Sequence, residues 1–193
     1  MLPPLDLEDA VLTAWRTNSR VTDYLIEHIP PVLWSATVPG VPSRAIRAVA
    51  AHVHNSRCTW IKTLGREHGI VAPVRVDHRA VTARQLGTAL KGSSRGIAAL
   101  LSLGCRQGGR VPPSKGDVWR NLPLDVGHVL TYFVAHEAHH RGQIVMVARQ
   151  LKCRLPASVT AGLWEWRIRG RETSASEPAR TTRRAGVPRR PNG

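Results

Sequence analysis

The stretch FVAHEAHHRGQI, residues 133–144, constrains this chain most, because three histidines and one glutamate fall within five residues of an apolar, helix-forming run. At about 100° of rotation per residue, His136 and His140 stand one turn apart on the same face of a helix. With Val129 as the reference direction, Val126, Phe133, Ile144, Val147 and Leu151 lie within roughly 60° of it, and both histidines fall inside that stripe. The spacing therefore predicts two imidazoles pointing into the core, with Glu137 at the stripe's edge and His139 on its flank. A single histidine on an apolar face is usually a core residue with a hydrogen-bond partner. A pair one turn apart is costly to bury unless something coordinates it, and a borderline divalent ion does so.

The same letters spell H-E-x-x-H, in which two histidines bind zinc and the glutamate is the general base of a peptidase. The surroundings argue against that reading. Residue 143 is glutamine where a metzincin needs glycine, no histidine follows His140, and the strand-rich half expected upstream is missing.

A chain of 193 residues, 42% hydrophobic, suits one domain with a core and a tail. No apolar run is long enough to span a membrane, and the opening MLPPLDLEDA lacks the basic then apolar pattern of a signal peptide. Cys58, Cys105 and Cys153 form no CxxC pair. Reduced thiols and a cytoplasmic location are the expectation. The net charge of +15 raises nucleic-acid binding, but the basic residues, mostly arginine, are spread along the chain with no aromatic-interleaved basic strand. Nucleic acid and membrane are therefore not expected as partners.

Along the chain, Leu7, Val11, Ala14, Val21, Leu25 and Ile29 predict a first helix over residues 6–29, with Asn18 inside its stripe either as a buried register-fixing amide or as a contact near the metal. Pro30 and Pro31 stop it, and an irregular loop follows. Ser43 is placed to cap a second helix running to residue 66, carrying His52 and His54 on opposite flanks of its apolar face. Periodicity does not choose between them. Residues 70–80 read as a connection with a short extended piece. Thr82 and Gln85 have capping-box spacing before a third helix ending at Gly104. A Gly/Pro-rich link over residues 105–121 precedes a fourth helix with Pro123 in its first turn. Leu163, Trp164 and Trp166 read as the packing patch of a short terminal helix. The fold expected is all-α: an antiparallel four-helix bundle over residues 1–170, a short C-terminal helix, and a disordered Arg/Pro-rich basic tail over residues 171–193.

The run HEAHHRGQI, preceded by HVHNSRCTWIK at residues 52–62 and followed by GLWEW at residues 162–166, resembles the DinB family of four-helix-bundle metalloproteins over roughly residues 8–168. The resemblance implies three histidines holding Zn²⁺, Ni²⁺ or another divalent ion with open positions for water or substrate. His52, Val53, Asn55 and Trp60 fit the family's second-helix frame, which makes His52 the third ligand beside His136 and His140, with His54 the fallback. Arg57 stands where many relatives carry an acid. The family includes thiol-dependent transferases and isomerases, members described as hydrolases, and many without an established activity. The expectation is thus a metal-dependent S-transferase or hydrolase acting on a small molecule, with a low-molecular-weight thiol as a second cofactor and a homodimer as the assembly; the alternative is a non-catalytic metal-binding or stress-related protein.

Within that reading, Glu137 is the candidate for moving protons at the metal, against a plain surface pair with Arg141 at i+4. Gln143 and Arg141 are expected at the mouth. Cys58 is the residue to watch as a fourth ligand that would close the site.

Overall fold

The structure, a computed structural model, describes residue 4 and residues 6–114 and 122–175. It is almost wholly helical. Four long helices, α1 (Leu7–Glu27), α3 (Ile46–Gly65), α4 (Ala83–Arg106) and α5 (Val126–Gln150), carry the core; α2 (Pro31–Trp34), α6 (Ala157–Gly162) and α7 (Trp166–Ala175) are short. Two strands, β1 (Thr37–Val38) and β2 (Val41–Ala45), form an antiparallel hairpin. No described helix is long and apolar enough to cross a membrane.

Local sequence sets the helix starts. Asp6 caps α1 by accepting from the Asp9 amide at 3.1 Å, and Thr82 and Gln85 form the reciprocal capping box of α4. Elsewhere the boundaries move. The second long helix begins at Ile46, because Ser43 lies in β2, and the supposedly irregular loop before it holds α2 and the hairpin. Gly104 does not end α4, which runs to Arg106; an added Cβ there would meet Val126 and Val111 at 2.6–2.9 Å, so this glycine serves close packing. Pro123 falls ahead of α5, whose N-cap is Asp125.

The core is two apolar clusters stacked along the helices. One joins Val11 and Trp15 of α1 to Trp60 and Leu64 of α3, Ile97 and Leu101 of α4 and Phe133 of α5. The other joins Leu25 of α1 to Ile46 and Val49 of α3, Leu86 and Leu90 of α4 and Val147 of α5. The first half of α1 thus shares a cluster with the first half of α5 but with the last halves of α3 and α4. It follows that α1 and α5 point one way and α3 and α4 the other. The expectation of an antiparallel bundle holds for α1 against α4 and for α3 against α5, and fails for α1 against α5 and for α3 against α4.

That topology requires the link from α3 to α4 to return along the whole of α3, about 30 Å for a 20-residue helix. Residues 70–77 run back as a strap without regular structure, in which an extended residue covers at most about 3.3 Å, and a turn at residues 78–80 leads into α4. The Ile70 amide donates to the Gly65 carbonyl, Asn55 makes a two-way bond with the Val76 backbone (2.9 and 3.0 Å), and Trp34 donates to the Val81 carbonyl at 2.8 Å.

At the C-terminus, Trp164 is 84% exposed and is no packing anchor. Instead α7 docks on α1 through charge: Glu172 accepts from Arg20 at 2.6 Å and forms an ion pair with Arg169 at 3.0 Å, and the Arg169 guanidinium lies 4.1 Å over the Tyr24 ring. This helix crosses the boundary expected at residue 170. The expected disorder of the tail beyond Ala175 lies outside the described residues.

Candidate metal centre

The hydrophobic pattern of α5 brings His136 and His140 to the groove facing α3, where His52 meets them. One nitrogen from each ring lies within 4.8 Å of the other two, and ring centroids are separated by 4.6 Å (His136 to His140), 4.7 Å (His52 to His140) and 5.3 Å (His52 to His136). The Nε2 atoms of His136 and His140 stand 3.2 Å apart. Two nitrogens bound to one tetrahedral zinc at about 2.05 Å are separated by about 3.3 Å, so these two are already spaced as ligands. The cluster fits a divalent ion.

Second contacts orient the rings. His140 Nδ1 lies 2.9 Å from the Gln143 carbonyl oxygen, to which it donates, leaving Nε2 as the lone pair aimed at the cluster. The Gln143 amide in turn reaches His139 Nε2 at 2.9 Å. Tyr132, one turn before His136, stacks on it with centroids 5.8 Å apart and planes 16° from parallel. Burial holds His140 down to about 4, with repulsion from His136 and His52 adding to it, and burial and His52 likewise lower His136. Both rings are therefore neutral at pH 7, the form that binds a metal.

His54 is elsewhere. Its ring is fully buried, with Nδ1 at 3.0 Å from Ser93 Oγ and Nε2 at 3.0 Å from the Val74 carbonyl, so it secures the strap. Cys58 is buried with its sulfur 3.3 Å from His54 Nε2 and does not join the cluster. Among the described residues the candidate site is three histidines, without a cysteine or carboxylate.

The orientation of α5 differs from the expectation. His136 is only half-buried and Glu137 is fully buried, because α5 is covered on two sides and the glutamate faces α1 and α3 between the two apolar clusters. Its carboxylate accepts from Arg57 Nε at 2.7 Å and Nη2 at 2.8 Å, from Thr22 at 2.8 Å and from Asn18 at 3.0 Å. Arg141 does not line the mouth: it donates to Thr22 at 2.7 Å and Asn18 at 3.1 Å, with Glu137 3.8 Å away. Asn18 is thus the register-fixing amide. Sequence reasoning missed Arg57 as the partner of Glu137; its signal was a place between Val53 and Ile61 at four-residue spacing, on the buried face of α3. A carboxylate so engaged is not arranged as the base of a peptidase, which removes the support for the H-E-x-x-H reading.

A helical fold with three imidazoles converging from facing helices defines a class: helix-bundle proteins with a candidate metal centre. The sequence model of the DinB family matches residues 1–157, and the chain belongs to that family. The GLWEW segment lies beyond the matched residues. No curated protein and no solved structure matches the chain.

Proposed function

We propose that this DinB-family protein holds one divalent ion, Zn²⁺ or Ni²⁺, on His52, His136 and His140, and presents it to a small-molecule substrate in a thiol-dependent transfer or a hydrolysis. The observation that carries the reading is the 3.2 Å spacing of two ring nitrogens, with the tautomer of His140 set by Gln143 and a third imidazole beside them. Three histidine ligands leave coordination open, whereas structural zinc sites are usually closed by four protein ligands. Such an ion supplies Lewis acidity, lowering the pKa of a water or thiol bound to it. The protein's own part is orientation. Gln143 sets the His140 tautomer, Tyr132 stacks the His136 ring, and Glu137 ties α5 to α1 and α3 so that the imidazoles keep their places. Proton exchange falls to exposed His139, next to the cluster, rather than to Glu137.

The engagement of Glu137 favours one second reading, a non-catalytic metal-binding protein, because no carboxylate among the described residues joins the cluster to accept a proton. The test is metal analysis of untagged protein. About one divalent ion per chain is expected, with affinity lowered at least about 100-fold by His52→Ala, His136→Ala or His140→Ala and kept in His54→Ala. Loss of metal in His54→Ala alone would overturn the ligand set. Turnover of thiol-transfer or hydrolytic substrates that vanishes in the metal-free protein separates enzyme from binder.

A further inference from the structure

Beside the histidine cluster runs a groove of about 600 Å³ between the hairpin and α5. Its walls are Val38 and Val41 of the hairpin, Val49 of α3, and Gly142, Met146 and Val147 of α5; no charged side chain among the described residues lines it. Val41 and Met146 are 43% and 54% exposed, so this is apolar surface held open to water. The volume suits a small organic molecule.

The groove adjoins the cluster: Gln143 and His139 line it, and Gln143 bonds both His140 and His139. Val49 lies one turn before His52 on α3, so the groove leaves the cluster on the side where the two helices carry their ligands. A molecule with one end at the three imidazoles therefore has a mostly apolar groove beside it for the rest of its length.

We propose that this groove binds the neutral, apolar body, an alkyl or aryl chain, of the small molecule whose metal-seeking end meets His52, His136 and His140. This rests on the metal reading above and adds to it the class of substrate. Selectivity arises from burial along the hairpin, while the head group at the cluster is common to many molecules.

The experiment uses Co²⁺-loaded protein titrated with straight-chain alkanethiols from ethanethiol to hexanethiol, followed by the thiolate-to-cobalt absorption band. Affinity is expected to rise about fourfold per added methylene. The rise should be lost when the far end of the chain carries a hydroxyl, and lost in Val41→Asn and Met146→Asn, exposed positions whose change leaves charge and core intact. Affinity independent of chain length, or a rise that both variants keep, would overturn the proposal. A second arm uses protein as purified with the neutral dye N-phenyl-1-naphthylamine, expected to bind, to be displaced by 1-hexanol and to be lost in the same variants. Absence of the cobalt band with every thiol would overturn the metal reading, while the dye arm still decides the groove: no dye binding, or binding the variants keep, refutes it.

Discussion

At the scale of single residues, the buried charges decide more than their count. Arg57 and Glu137 are 1% and 0% exposed, and removing one partner strands the other without water. Glu137→Gln is therefore expected to lower the unfolding free energy by about 3 kcal/mol, and the double change Arg57→Met with Glu137→Leu to recover much of it. Urea denaturation checks both. If Glu137→Gln leaves stability unchanged but cuts turnover, the residue is a proton carrier after all. Asp23 is the opposite case: burial raises its carboxyl to about 6 from an ordinary 3.8, although Arg57 and Arg20 oppose the shift, and its Oδ1 has no partner. A carboxyl with a raised folded pKa binds its proton more tightly when folded, so its contribution is full below about 3.8 and is lost as pH rises through about 6. Asp23→Asn should then stabilise by about 2 kcal/mol at pH 8 and progressively less toward pH 4. A gain that does not shrink on acidification would contradict this.

At the scale of elements, helices were largely legible and their attachments were not. The periodic apolar residues of α1, α3, α4 and α5 located all four to within a few residues, since an amphipathic stripe is a local property. The hairpin was illegible because its strands are too short to show alternation. The terminal helix was read from Leu163, Trp164 and Trp166, yet α7 is fixed on α1 by Glu172 pairing with Arg20, 152 residues away in sequence, and by Arg169 over Tyr24. The consequence is a truncation series. Ending the chain after Ala175 keeps these contacts, whereas ending it after Gly170 removes Glu172 and leaves buried Arg169 without that partner. The shorter chain is expected to melt about 4 °C below the longer one, a loss of about 1–2 kcal/mol. Equal melting temperatures would mean that α7 adds nothing.

For the whole molecule, the candidate metal centre joins α3 to α5, two of the four helices that share the core. An ion bound only by the folded state stabilises it by mass action, about 4 kcal/mol at a thousand times its dissociation constant. Chelation is expected to lower the melting temperature by roughly 10 °C in the unaltered protein and by little in His136→Ala. A chelator effect of equal size in both would place the ion elsewhere. The same geometry explains the strap: because the consecutive helices α3 and α4 run the same way, their link must cross the full length of the molecule, and Asn55 and His54 are spent on holding it.

Spacing along one helix determined that His136 and His140 share a face, that four helices form and where most of them begin, because each depends only on residues within a turn or two. The tertiary structure decided what no local pattern contains: His52 rather than His54 beside that pair, Arg57 rather than Arg141 as the first partner of Glu137, and the direction of each helix against its neighbours. Those outcomes depend on which faces meet across the core, and a helix with apolar residues on one stripe still leaves two flanks whose neighbours come from far along the chain.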